Sequence, residues 1–300
     1  MKEFFEEHKF KSETLKIIEQ ANSIIEEYQE DGFDLTLRQL YYQFVSRDLI
    51  PNSQKSYSRL GDIISNARLN GDIDWNAIKD RTRRIHTGLH FNSPSSAIYN
   101  TASWYAIDTR ADQDNYIECW VEKEALVGVV ERACEDLDIP FFACRGYVSQ
   151  TAMYEAYKRF LKKRNKHNRL ILLHLGDHDP SGIDMTRDIE ERLTVTFGVY
   201  VEIKRIALNM EQIEELQPPP NPAKLTDSRV GGYIKRFGRQ SWELDALDPN
   251  TITNLIKRYA NLFTDQEKRN KLIALQEEQK GLIEKCSENW ESVVEYLERI

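Results

Sequence analysis

The stretch RLILLHLGDHDPSG, residues 169–182, carries a mostly apolar run into two aspartates one position apart, then a proline and a glycine. A short apolar run bounded by turn-forming residues reads as a buried strand. Similar runs lie to either side, with helical stretches between them. In order they are YIECWV (116–121), a helix over 123–136, IPFFAC (139–144), a helix over 149–163, the strand at 169–175, a helix over 182–193, and VYVEIKRIAL (199–208). This alternation predicts an α/β fold, a parallel sheet with helices on both faces, over roughly 112–215.

In such a sheet the C-terminal ends of the strands share one edge. Glu122 follows the first strand, Arg145-Gly146-Tyr147 the second, and Gly176-Asp177-His178-Asp179 the third. The topology therefore gathers Glu122, Asp177 and Asp179 at one crevice, where Pro180 and Gly182 fix a tight turn. Carboxylates crowded together repel unless a proton or cation intervenes. All-oxygen ligands suit Mg²⁺, with Mn²⁺ as substitute. Glu122, Asp177 and Asp179 are thus candidate metal ligands, with His178 a candidate supporting group. The plain alternative is a pair of loop aspartates forming Asx-turns in solvent. No GxxxxGK[ST] loop occurs, so the site suits phosphoryl or phosphodiester transfer better than ATP hydrolysis.

Upstream, SETLKIIEQANSIIEEYQE (12–30) has helical spacing after Ser12. A second helix is expected over 37–47, capped by Asp34 or Thr36, and a third from about Tyr57 to Leu69, stopped by Asn70-Gly71. With GDIDWNAI behind them, these predict a mostly helical unit of helix-turn-helix or winged-helix type within residues 1–100. Residues 1–34 hold 4 basic and 10 acidic side chains, whereas 35–90 hold 9 basic and 5 acidic. A basic patch inside an acidic chain permits DNA contact, and Arg59, Arg68, Lys79, Arg81, Arg83 and Arg84 are the candidate phosphate contacts.

On the second helix Leu37, Leu40, Tyr41 and Phe44 form one stripe and should face the core. Tyr42 falls off it, one turn beyond Arg38. A phenol with pKa near 10 attacks poorly, but a guanidinium beside it favours the phenolate and can grip a phosphate. Tyr42 is a candidate nucleophile with Arg38 as partner; a groove or interface aromatic is the alternative. Residues 85–115 read as a linker with short elements, and QPPPNP (217–222) as a stiff connector. The region 216–300 should be a connector followed by a helical tail from about 251, ending in a long charged helix near 265–298 with 6 basic and 9 acidic residues across 264–300.

The composition, 40% hydrophobic and 30% charged with a net charge of −8, is that of a soluble, ordered protein. No stretch is as long as a membrane span, and the N-terminus lacks the apolar core of a signal peptide. Cysteines 119, 134, 144 and 286 form no Cys-x-x-Cys pair. That predicts a reducing, cytoplasmic setting, nucleoid-associated when bound to DNA, and no structural zinc.

VEKEAL (121–126), RGYVS (145–149) and LGDHDPSGIDM (175–185) together resemble a Toprim domain, the metal-binding fold of topoisomerases, primases and related nucleases. The closest likeness is to the A subunit of type IIB topoisomerase VI and the meiotic double-strand-break protein. In that family R-x-[IL]-[YF]-Y on a winged-helix domain carries the cleaving tyrosine, and Arg38-Gln39-Leu40-Tyr41-Tyr42 matches it. The resemblance implies metal ligands at Glu122, Asp177 and Asp179, and supporting positions at Glu124, Gly146 and Gly182. A segment near the site corresponds to Glu243 and Asp245. It also implies duplex DNA as substrate and a homodimer in which tyrosine and metal come from different protomers, with a separate ATPase or complex partner. Gly146-Tyr147-Val148-Ser149-Gln150-Thr151 lacks the proline and arginine usual after the family's second strand. A small stand-alone relative, of the kind found in mobile elements and prophages, is the expectation. Two alternatives stay open: a Toprim endonuclease using metal-activated water, and a non-catalytic DNA-binding component of a defence or mobile-element complex.

Overall fold

Thr36 sets where the second helix begins. Its hydroxyl accepts from the Gln39 N–H, while the Gln39 side chain accepts from the Thr36 N–H at 2.9 Å, so two orphan donors are satisfied reciprocally. In the computed structural model, which describes residues 2–79 and 88–300, this helix is the middle one of three. They are α1 (Ser12–Glu30), α2 (Leu37–Ser46) and α3 (Gln54–Leu69), the last capped by Ser53. All three pack on one another, and Leu35 makes an isolated parallel bridge to Ile78.

The expected linker holds a further helix, α4 (Pro94–Trp104), and this corrects the sequence reading. Ser93 and Ser96 cap it reciprocally and Pro94 pre-sets its first turn. Ala102 is its one buried residue, so almost no apolar stripe announced it.

The sheet then forms as the alternation requires: β1 (Asn115–Val121), a 3₁₀ turn at Glu124–Leu126, α5 (Val127–Leu137), β2 (Phe141–Ala143), α6 (Gln150–Arg164), β3 (Arg169–Leu175), α7 (Pro180–Glu191) and β4 (Glu202–Ala207). The four strands are all parallel, in the order β2-β1-β3-β4. Val121 pairs with both Ala143 and Leu175, so three strands end level. Period-2 alternation sends Ile117, Cys119, Val121, Ile171, Leu173 and Leu175 to one face, and Tyr116, Trp120, Leu170 and Leu172 to the other. Both faces are covered, which is why the strands read as near-continuous apolar runs.

Glu118 is the exception on β1. It is buried, and it is satisfied by Tyr116 Oη at 2.7 Å, Trp120 Nε1 at 2.9 Å and both arms of Arg159.

The rest of the chain wraps this frame: α8 (Met210–Leu216), β5 (Asn221–Pro222), α9 (Val230–Phe237), β6 (Gln240–Ser241), a 3₁₀ turn at Leu244–Ala246, α10 (Pro249–Asn261), α11 (Gln266–Glu288) and α12 (Trp290–Leu297). The proline-rich connector ends in the small antiparallel β5–β6 pair. The expected single helix over 265–298 is broken at Asn289. α10 packs on α5, and α11 lies along α4. One apolar cluster runs from Ile18 of α1 through the sheet to Ala260 of α10. All four cysteines are free, and among the described residues no helix is long and apolar enough to cross a membrane.

Candidate active site at the strand ends

The level ends of β1 and β3 bring Glu122 against the Gly176–Asp179 turn. Glu122 N–H donates to Leu175 O at 2.9 Å, extending the ladder by one bond, and its Oε2 accepts from the Asp177 N–H at 2.9 Å. Two glycines make the approach possible. A Cβ at Gly176 would stand 2.9 Å from Glu122 Oε2, and one at Gly182 would stand 3.1 Å from it. Asp177 is buried, and its Oδ1 accepts from Leu244 N–H at 2.7 Å. Asp179 caps α7, its Oδ1 accepting from Gly182 N–H at 2.6 Å and Ser181 Oγ at 3.0 Å.

The 240–246 segment folds over this turn. His178 and Trp242 exchange backbone hydrogen bonds, which carries Glu243 and Asp245 to the carboxylates. Lys123 ties the group together: its Nζ lies 2.7 Å from Glu243 Oε2, 2.7 Å from Asp245 Oδ1 and 3.1 Å from Asp177 Oδ1. From the other side Arg38 of α2 donates through Nε to Asp245 Oδ2 at 2.7 Å and pairs with Glu243. Beneath, the half-buried Arg205 of β4 donates to the carbonyls of Gly176, Asp177 and Gly182 and holds the turn in shape.

The electrostatics follow from this arrangement. Burial, with Asp177 next, pushes Glu122 up to about 7. Burial likewise raises Asp177 to about 6 against the pull of Lys123. For Glu243 burial also acts upward, but Lys123 and Arg38 outweigh it and hold the carboxyl down to about 2. Burial lowers Arg205 to about 10, opposed by Glu122 and Asp177. Tyr42 departs from the sequence expectation. Burial first, then Asp245 and Glu243, push its phenol well above the usual range, and Arg38 offsets only part of that. The reason is geometric. The guanidinium expected to favour a phenolate is already shared by two carboxylates, and it lies 5.8 Å from the Tyr42 ring.

The remaining sequence candidates divide. Glu124 points to Arg145, with contacts of 2.6 and 2.8 Å, rather than to the carboxylates. Gly146 takes φ +89° just after β2, and its N–H reaches Glu122 O at 3.4 Å. The His178 ring turns away into Tyr233, Phe237 and Trp242, with Nδ1 2.9 Å from Tyr233 Oη. Arg59 is exposed and bonds Glu13, Lys79 lies 3.9 Å from Asp34, and Arg68 is spent on the carbonyls of Trp75 and Ile78. Arg81, Arg83 and Arg84 lie outside the described residues. Sequence reasoning does not single out Lys123 or Arg205. Lys123 carried a signal in its place between Glu122 and Glu124, whereas Arg205 carried none, since its strand also holds Glu202 and Lys204.

The donor set is entirely oxygen, and Glu122 beside Asp177 suits a hard divalent cation. Asp179 has one oxygen committed to the α7 N-terminus, and among the described residues no group of three or more His, Cys, Asp and Glu side chains is disposed to hold one ion together. The donor chemistry suits such an ion, although Glu122 Oε2 already accepts from the Asp177 N–H and Asp177 Oδ1 from Leu244 N–H beside Lys123; the full triad does not converge. No family model matches this chain, and no curated protein matches it.

Proposed function

We propose that this protein cleaves duplex DNA in a Mg²⁺-dependent reaction, with Tyr42 as the nucleophile that becomes joined to the DNA end. One observation carries the reading. Glu122 and Asp177 adjoin at the strand ends, and a continuous set of ion pairs through Lys123, Asp245 and Arg38 leads from them to the helix that bears Tyr42. The Toprim and winged-helix likenesses of the sequence support it.

In this reading Glu122 and Asp177 would hold the cation, and Asp179 could join them only by giving up its place as the α7 cap. A bound Mg²⁺ offsets phosphate charge and stabilises the departing oxygen. Arg38 grips the phosphate, which competes with Glu243 and Asp245 for the guanidinium. Released from those two carboxylates, Arg38 then favours loss of the Tyr42 proton. Lys123 keeps Glu243, Asp245 and Asp177 from repelling one another while the site waits. The helical unit would seat the duplex, and a homodimer would present two such sites.

A second reading has its own support. Tyr42 is 4% exposed, with its phenol pKa raised by burial, and that favours water as the attacking group. Incubation with supercoiled plasmid and Mg²⁺, followed by denaturation, separates the two. Tyrosine attack leaves protein covalently on the DNA, and Tyr42→Phe abolishes both cutting and linkage. Cutting that persists in Tyr42→Phe with no linked protein selects water. No cutting by the wild type, in Mg²⁺ or Mn²⁺, overturns both.

A further inference from the structure

Residues 224–239 carry five basic side chains and one acidic, in a chain whose net charge is −8. The acidic one is already answered: Asp227 Oδ1 lies 2.9 Å from Arg229 Nη1, and Arg229 Nε lies 3.0 Å from Asp184. The other four, Lys224, Lys235, Arg236 and Arg239, are exposed and make no ion pair among the described residues. Arg236 only lies over the ring of its neighbour Phe237, 5.0 Å from the centroid.

This segment is fastened to the turn between β3 and α7. Tyr233 Oη stands 2.9 Å from His178 O and 3.0 Å from Gln240 O, and the Phe237 and His178 rings meet edge-on with centroids 4.7 Å apart. Ala223 N–H donates to Arg239 O at 2.9 Å, which brings the loop bearing Lys224 beside the loop bearing Arg239. His178 lies between Asp177 and Asp179, so the free cations sit on the segment packed against the carboxylate turn. Lys235 and Arg236 close the last turn of α9, where a cation answers the helix dipole. Lys224 and Arg239 lie outside that helix, and the dipole does not account for them. The helical unit has less to offer a phosphate, since Arg59 is taken by Glu13 and Arg68 by backbone carbonyls. A crowd of carboxylates repels a polyanion, and cations at its edge offset that repulsion.

We propose that Lys224, Lys235, Arg236 and Arg239 grip the phosphate backbone of duplex DNA and hold it beside the strand-end carboxylates. This rests on the function proposed above and names the cations that hold its substrate. It is the same whether Tyr42 or water attacks. Such contacts release counterions, so affinity falls with salt in proportion to the phosphates neutralised.

A second basic stretch supplies the control. Lys162, Lys163, Arg164 and Lys166 stand at the end of α6, at the opposite edge of the sheet, where β3 begins. One variant replaces Lys224, Lys235, Arg236 and Arg239 with alanine, and a second does the same to the α6 group, so both lose equal charge. A third keeps the charge, as Lys224→Arg, Lys235→Arg, Arg236→Lys and Arg239→Lys. All are checked for wild-type melting, then titrated with a short fluorescent duplex in chelator across a range of salt. The log–log slope of affinity against salt should become shallower by about 4 in the first variant and stay at the wild-type value in the other two. Equal loss in both alanine variants, or none in the first, overturns the proposal while leaving the proposed cleavage standing. Loss in the charge-keeping variant as large as in the first assigns the effect to packing and overturns it as well. A wild type that neither binds nor cuts the duplex overturns the proposed function itself, and this surface with it.

Discussion

At the scale of single residues, the informative side chains are those whose surroundings reverse their ordinary behaviour. The sequence set Tyr42 off the core stripe, yet its ring is buried in the same apolar cluster as Leu40, Tyr41 and Phe44. Its electrostatic setting was not legible either, because Glu243 and Asp245 lie about two hundred residues away in the chain. Since burial and these carboxylates raise the phenol above its usual range, the phenolate fraction grows about tenfold per pH unit throughout the neutral region. Adduct formation is therefore expected to keep rising to at least pH 9. A plateau near neutrality, seen in single-turnover rates at fixed Mg²⁺, would count against Tyr42 as the attacking group.

His174 gives a stability counterpart. It is fully buried on β3 with Nδ1 2.9 Å from Thr186 Oγ1, and burial lowers its pKa to about 3. Below pH 6.5 the unfolded chain takes up a proton that the native ring refuses, so this residue removes about 1.4 kcal/mol of stability for each pH unit down toward 3. Glu122 and Asp177 act with the opposite sign. Their folded values are raised, so the stability they lend is present at low pH and lost as pH rises through about 6 to 7. Denaturant unfolding from pH 7 to 4.5 should accordingly show His174→Asn gaining on the wild type as pH falls. Parallel curves would show that the ring is charged in the native state.

At the scale of elements, the strands and their helices were legible because both sheet faces are covered and the runs are almost wholly apolar. Thr36, one of the two caps the sequence offered, does start α2, whereas α3 begins behind Ser53 at Gln54, three residues before the expected Tyr57. The helix at Pro94–Trp104 was not legible. It buries a single alanine, and its partner α11 lies about 170 residues further on, so neither periodicity nor composition marked it. Asp179 shows where an element and a site draw on one side chain. As the α7 cap it is expected to contribute about 1 kcal/mol, so Asp179→Ala should lower the unfolding free energy by that amount in chelator. Asp179→Ser, which can still cap, should recover most of it without recovering any metal-dependent activity. If serine failed to restore stability, the cap would not be the source of the loss.

At the scale of the whole molecule, the sequence suggested a helical unit, a sheet and a helical tail in succession. What links them is side-chain packing between segments hundreds of residues apart, which no local pattern encodes. The apolar cluster shared by α1, α2, α3, the sheet and α10 makes independent unfolding of the first hundred residues unfavourable. Urea unfolding followed by far-ultraviolet circular dichroism and by tryptophan fluorescence should give coincident transitions, since Trp75 and Trp120 report on the two parts. Two separated transitions would mean that the shared core does not couple them.

The proposed metal site depends on the sheet, which brings Glu122 against the Asp177 N–H at the ends of β1 and β3. Titration of the metal-free protein with Mn²⁺, read by electron paramagnetic resonance of the unbound ion, tests that claim most directly. The expected result is one tightly held Mn²⁺ per chain in the wild type, lost in Asp177→Asn and in Glu122→Gln while both keep the wild-type circular dichroism spectrum. Binding undiminished in both variants, or no binding in the wild type, would contradict it.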